Sequence, residues 1–352
     1  MEHFIQKIHH WFEENQRGLP WRLTKDPYCI WVSEIILQQT RVIQGIPYYY
    51  KFIAHFPDVH ALAEAPEDQL LKVWEGLGYY SRARNMHTAA KTIVSLHNGI
   101  FPDSYEAVIQ LKGIGEYTAA AIVSIAFGMP YPVVDGNVYR FLSRFLGITE
   151  EMDTSPGKKR VLQIATELMD KDHPGMHNQA MMEFGALCCV PSNPDCYNCP
   201  VQDGCFAFQH KMTEKLPARK KRMPKRIRYF YFCIPEDEQC IIIEKRSGKD
   251  IWKNLYQPPL FESDHALTEN EILLNSLLKN LTQESEEALV EISPEYTHNL
   301  THQQIRARFI TITLPRIINN NHTRIPVKKR EMHTFAFPVL IKNFLYKKFL
   351  RM

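Results

Sequence analysis

The 352-residue chain has no run of eighteen or more apolar residues. A helix needs about twenty to cross a bilayer, so no membrane span is expected. The opening residues, Met1-Glu2-His3-Phe4-Ile5, lack the basic stretch and apolar run of a secretory leader, and the protein is expected to stay in the cytoplasm. There is no internal repeat, which argues against a solenoid. There is also no large excess of either charge: 42 Lys and Arg face 39 Asp and Glu, a net of +3. That balance permits nucleic-acid binding without demanding it. With 45% hydrophobic and 23% charged residues, the composition is that of a folded globular protein. Its length exceeds one ordinary core and predicts two domains.

Residues 217–228 contain no acidic residue, seven basic ones and two prolines. Such a segment reads as a linker between an N-terminal domain, residues 1–216, and a smaller one, residues 229–352. Before it the pattern is helical. Phe4, Ile5, Ile8, Trp11 and Phe12 share one helical face, and segments 28–45, 67–75, 81–97, 117–127, 136–146 and 158–170 carry helical spacing. After it come short β-rich runs at Tyr229–Ile234 and Cys240–Ile243. Residues 269–281 read as helix, and Phe309–Leu314 alternates as a half-buried strand does. The fold class is therefore a mainly α domain followed by a smaller α+β domain.

Four of the eight cysteines, Cys189, Cys196, Cys199 and Cys205, fall within one short loop. In a reducing compartment such a cluster reads as a metal site rather than as disulfides. A zinc ribbon would show two C-x2-C knuckles, whereas here one pair has longer arms. An iron–sulfur cubane is favoured over zinc, without excluding it. Cys188, beside Cys189, is an alternative first ligand. With Cys29, Cys233 and Cys240 it otherwise reads as a buried free thiol.

Leu111-Lys112-Gly113-Ile114-Gly115-Glu116-Tyr117-Thr118 joins two helical stretches. Its glycines permit positive φ and leave amide groups open to a phosphate, though alone the pattern fits any helix–helix turn. Asp135, in Val133-Val134-Asp135-Gly136-Asn137-Val138, stands where a helix would be capped. Glu34 lies among Trp31, Val32, Ile35 and Ile36 and is expected to face inward.

Taken in chain order, these motifs resemble the helix–hairpin–helix DNA glycosylases, nearest their adenine-excising MutY branch. Leu19-Pro20-Trp21-Arg22, Trp31-Val32-Ser33-Glu34, Leu37-Gln38-Gln39-Thr40, Trp74-Glu75-Gly76-Leu77-Gly78-Tyr79-Tyr80 and Asn178-Gln179-Ala180-Met181-Met182 extend the likeness over most of residues 17–210. The resemblance implies a six-helix subdomain plus an iron–sulfur subdomain, with a flipped base entering the cleft between them. It implies a 4Fe-4S cluster on Cys189, Cys196, Cys199 and Cys205. It implies that Glu34 protonates adenine, that Asp135 stabilises the sugar cation and that Asn137 orients Asp135. Tyr117 stands where lyase relatives carry an imine-forming lysine, which implies base removal without strand cleavage. Trp21, Arg22, Gln179 and Met182 match the adenine pocket. Gln39, Thr40, Leu77 and Tyr79 match lesion or wedge contacts, and Gly113 and Gly115 match the phosphate hairpin.

The C-terminal domain resembles a Nudix-like lesion-recognition domain, with Thr301 and His302 as its lesion contacts. It departs from the Nudix pattern in lacking an Arg-Glu-x-x-Glu-Glu helix, which argues against pyrophosphate hydrolysis. The loop Val190–Asp195 lacks the basic residues common in relatives. The implied partner is double-stranded DNA with adenine opposite 8-oxoguanine or guanine, handled by a monomer. A thymine-mismatch glycosylase and an endonuclease III-like lyase are the nearest rivals, opposed by Glu34 with the extra domain and by Tyr117 respectively. A catalytically silent cluster protein is the remote one.

Overall fold

A computed structural model describes residues 2–152, 154–218, 224–282, 287–317 and 321–350. The chain forms two compact units. One comprises Met1–Glu64 and Asn85–Arg222, the other Ala65–Arg84 and Met223–Met352. Residues 65–84 thus leave the N-terminal domain predicted from the sequence and join the C-terminal one. Residues 219–223 of the predicted linker lie outside the described residues, and its last residues, from Arg226, already belong to a strand.

The helices up to the cysteine loop are α1 Glu2–Asn15, α2 Pro27–Leu37, α3 Val42–His55, α4 Val59–Glu64, α5 Glu67–Val73, α6 Ser81–Leu96, α7 Tyr105–Val108, α8 Glu116–Phe127, α9 Gly136–Leu146, α10 Ser155–Glu167, α11 Pro174–Leu187 and α12 Phe206–Gln209. Segment 28–45 is two helices rather than one, broken at residues 38–41. In the first unit Phe4, Ile8 and Phe12 of α1 pack with Phe141, Leu142 and Phe145 of α9 and with Met181 and Phe184 of α11. Each such side chain contributes about 1.5–3 kcal/mol by leaving water. The helix α9 begins because the Asp135 side chain accepts from the Asn137 and Val138 amides. It ends at Gly147, whose φ of +72° closes the last turn.

In the second unit the strands are β1 Arg226–Glu236, β2 Cys240–Lys245, β3 Tyr256–Gln257, β4 Leu260–Ser263, β5 Leu289–Ile292, β6 Tyr296–Asn299, β7 Gln303–Thr313 and β8 Arg324–Lys328. Among the described residues α5 accompanies them, with α13 Glu269–Leu273, α14 Ser276–Thr282 and α15 Val339–Phe349. Among the described residues the strands make one mixed sheet of order β3-β2-β1-β7-β5, with β4 also on β1, β6 on β7 and β8 on β2. The central pair β1 and β7 is parallel, in register from Arg226 with Gln303 to Glu236 with Thr313.

Alternation along β1 sends Phe230, Phe232 and Ile234 to one face, packed on Leu340, Ile341 and Leu345 of α15. It sends Tyr231 and Cys233 to the other, against Ile272 and Leu278 of α13 and α14. The 309–314 segment is therefore covered on both faces, not half-buried as its alternation suggested.

Polar contacts tie 65–84 into this unit. Asp68 takes bonds from Lys245 (2.5 Å) and Tyr256 (3.0 Å). The nearly buried Glu75 accepts from the Phe337 amide (3.0 Å), Lys342 (2.5 Å) and Lys72 (3.0 Å).

Candidate active site and DNA-contact surfaces

The first unit encloses a cavity of about 470 Å³. It brings together every residue assigned above to catalysis and to the adenine pocket: Glu34, Tyr117, Asp135 and Asn137, with Trp21, Arg22, Gln179 and Met182. Gln39 and Thr40 line it as well.

Glu34 comes from α2, which is buried from Ile30 through Ile36, so no face of that helix offers its carboxylate bulk water. Desolvation raises its pKa to about 7. Hydrogen bonding with Tyr117 opposes the rise and the negative charge of Asp135 adds to it. Tyr117 sits in the first turn of α8, its hydroxyl 3.6 Å from the Met182 sulfur. Burial and the two carboxylates push its phenol well above the ordinary value. It is therefore a neutral donor rather than a phenolate.

Asp135 is the cap of α9. Its Oδ1 accepts from the Asn137 and Val138 amides (2.9 and 2.7 Å), and its Oδ2 accepts from Asn137 Nδ2 (2.6 Å). Burial raises its pKa against those bonds and the Arg140 charge, which favour the carboxylate. Arg140 in turn donates to Asn137 Oδ1 (3.0 Å), to the Gly185 carbonyl (2.5 Å) and to the Cys189 carbonyl (2.8 Å). The approach to Asp135 is fixed from behind by Asn178, which accepts from the Val133 amide (3.0 Å) and donates to the Tyr131 carbonyl (2.8 Å).

Trp21 lies in the short turn Pro20–Arg22, its ring edge-on to Tyr49 at 5.4 Å. Arg22 lines the cavity with its guanidinium already engaged. Its two terminal nitrogens are held by Glu183 at 3.1 and 2.9 Å, and one also donates to the Arg17 carbonyl. Arg17 grips the same carboxylate at 2.8 and 2.6 Å, which brings the Glu183 pKa down to about 2 despite burial. Arg17 and Glu183 line the cavity too, and sequence reasoning missed both.

The hairpin is also corrected in part. Gly113 has φ +83°, and a Cβ there would meet Asn85 Cβ at 2.6 Å. Gly115 instead has φ −102° and caps α8, so only the first glycine needs the left-handed region.

Leu77, Tyr79, Thr301 and His302 do not line this first cavity. They line one of about 440 Å³ in the second unit, together with Trp252 and Arg84. The Tyr79 hydroxyl bonds the Thr301 hydroxyl. Gln39 and Tyr79 both hold left-handed backbone, φ 59° and 45°, a conformation that costs energy in a residue with a Cβ.

Cys189, Cys196, Cys199 and Cys205 ring a further cavity walled by Phe141, Phe184 and Phe208. Arg144 reaches Cys189 Sγ at 3.5 Å and the Val190 and Pro191 carbonyls at 2.7 and 2.9 Å. The Val201 amide bonds Cys199, and the Ala207 and Phe208 amides bond Cys205. Such donors suit thiolate sulfur. No group of three or more His, Cys, Asp or Glu among the described residues gathers as a single-ion site would. Of the cysteines expected to be buried free thiols, only Cys233 is buried; Cys29, Cys188 and Cys240 are partly exposed. No helix among the described residues is long and apolar enough to cross a membrane.

The hairpin before α8, the capped aspartate before α9 and the deep carboxyl of α2 define the class: a helix–hairpin–helix DNA glycosylase joined to a Nudix-like domain. A family model described as HhH-GPD superfamily base excision DNA repair protein matches residues 32–171, and one described as NUDIX domain matches residues 230–347. The adenine DNA glycosylase of Buchnera aphidicola subsp. Acyrthosiphon pisum is 35% identical over 348 residues, 97% of this chain and 96% of that one. The human adenine DNA glycosylase is 40% identical over 217 residues, 59% of this chain and 40% of its own. The chain belongs to the adenine DNA glycosylase family and is a DNA glycosylase. Among solved structures, a thermostable thymine-DNA glycosylase aligns with TM-score 0.56 and 27% identity, covering 59% of this chain and 96% of that one. An endonuclease III–DNA covalent intermediate aligns with TM-score 0.52 at 22% identity, covering 59% and 95%, and shares the fold.

Proposed function

We propose that the enzyme excises adenine opposite 8-oxoguanine or guanine by hydrolysing its N-glycosidic bond, and leaves the strand uncut. The observation that carries this reading is a buried carboxyl, Glu34, titrating near neutrality on the same cavity as Asp135. Adenine flips into the cavity between Trp21, Gln179 and Met182. Glu34 gives its proton to N7, and the bonding pair of the C1′–N9 bond leaves with the base. The resulting sugar cation faces the Asp135 carboxylate, which Asn137 keeps aimed. Water adds to C1′ and loses a proton, which restores the acid. Tyr117 offers a hydroxyl where an imine would require an amine, so no Schiff base leads to strand scission. Arg22 acts by holding the Trp21 turn against Glu183 rather than by touching the base.

Cys189, Cys196, Cys199 and Cys205 would hold a 4Fe-4S cluster, whose service is to tie the loop after α11 into a rigid knot. Gly113, Gly115 and the amides between them would seat a backbone phosphate. Leu77, Tyr79, Thr301 and His302 would read the oxidised base. The enzyme acts as a monomer on double-stranded DNA.

The test is incubation with duplexes carrying adenine opposite 8-oxoguanine, A·G and T·G, with and without hot alkali. The adenine strand is expected to break only after alkali and fastest opposite 8-oxoguanine, and Glu34→Gln and Asp135→Asn to stop it. Breakage without alkali, or preference for T·G, contradicts the proposal.

A further inference from the structure

The cysteine cavity has five thiols, one more than a cubane needs. Cys188 lines it alongside the four expected ligands. It is the capping residue of α11, and its amide and that of Cys189 both donate to the Phe184 carbonyl at 2.9 Å. The chain is therefore still wound on the last turn of the helix where the two side chains leave it. Consecutive helical residues point about 100° apart, yet the cavity wraps the helix end and admits both. Cys199, one of the expected ligands, lines the same cavity as Cys188. Cys189 differs from Cys188 in its anchoring: Arg144 reaches its sulfur and Arg140 its carbonyl.

We propose that Cys188 is a reserve ligand, able to take the place of Cys189 in holding the cluster. This rests on the cluster reading above. Exchange is a ligand swap without redox change. One iron–sulfur bond to Cys189 breaks as one to Cys188 forms, Cys188 gives its thiol proton to solvent, and Cys189 takes one up.

Full-length protein purified without oxygen decides the matter by iron content and absorbance. Alanine variants are used because a serine oxygen can itself bind iron. Wild type is expected to show a broad band at about 400 nm and about four irons per chain. Cys189→Ala is expected to keep at least about half of that iron. Cys196→Ala and the double variant Cys188→Ala/Cys189→Ala are expected to keep less than about a tenth. Cys188→Ala alone is expected to match wild type. A wild type without iron overturns the cluster reading and this inference together. An iron-loaded wild type with Cys189→Ala as depleted or as insoluble as Cys196→Ala overturns the reserve role alone. So does a double variant that holds as much iron as Cys189→Ala.

Discussion

Burial lifts the Glu34 pKa to about 7 from an ordinary 4.5, so the folded chain binds this proton more tightly than the unfolded one. Below the lower value both states are protonated and nothing is lost. As pH rises from there through about 7 the unfolded state ionises first, and folding stability falls, by up to about 3 kcal/mol. Glu34→Gln keeps the shape and removes the titration. It is expected to match wild type in denaturant near pH 4.5 and to exceed it by up to about 3 kcal/mol at pH 8, while excision drops about a hundred- to ten-thousand-fold. Equal stability at both pH values would contradict a buried acid. In single-turnover kinetics, wild-type excision is expected to fall about tenfold per pH unit above about 7, as the donor empties. The burial of Glu34 was legible because its neighbours Trp31, Val32, Ile35 and Ile36 predicted it. Glu183 was not, because its partners Arg17 and Arg22 stand more than 160 residues away in the chain, and a long-range ion pair leaves no local pattern.

At the scale of elements, the Glu183 clamp fastens the Pro20–Arg22 turn to α11 and so sets where Trp21 stands. Its carboxylate is 2% exposed while two guanidinium groups hold it. Removing the acid strands two cations, a change that costs about 3–5 kcal/mol in buried pairs. Glu183→Ala is expected to lower stability by about 3 kcal/mol and to raise KM for adenine-containing duplex more than it lowers kcat. A KM equal to wild type would show that the turn holds Trp21 without it. Because the folded pKa of Glu183 is depressed to about 2, its contribution is present above about pH 4.5 and is lost as acid titrates it.

The helix that carries this residue was not outlined from the sequence, and the reason is physical. His177, Asn178, Ala180, Met181, Glu183 and Phe184 of α11 are all buried, so polar and apolar positions alternate inside the protein and no amphipathic stripe marks the helix. By contrast α9 was legible: Val138, Phe141, Leu142 and Phe145 share one face and Asp135 stands at the cap. The two-sided covering of β7 was hidden for a similar reason, since α13 and α14 reach it from sequence far away.

Across the whole molecule the chain threads its two units out of order, because residues 65–84 belong with 223–352. That arrangement puts Leu77 and Tyr79, from the first quarter of the sequence, on the same cavity as Thr301 and His302. Sequence motifs singled out all four residues, but only the fold separates them from the cavity of Glu34 and Asp135, which lies wholly in the first unit. On the proposed reading, two cavities in two units would allow the chemical step and the choice of partner base to be altered independently. Thr301→Ala removes the hydroxyl that bonds Tyr79, and His302→Ala removes the neighbouring imidazole. Neither change touches Glu34, Asp135 or their hydrogen bonds. A lost hydrogen bond to a bound base weakens recognition by about 1–3 kcal/mol, or about ten- to a hundredfold in kcat/KM. The double variant is therefore expected to lose that factor with adenine opposite 8-oxoguanine while its rate on A·G stays within about twofold of wild type. If both substrates slow equally, the second cavity serves general DNA binding or stability, and lesion discrimination must reside with Gln39 and Thr40 on the catalytic cavity.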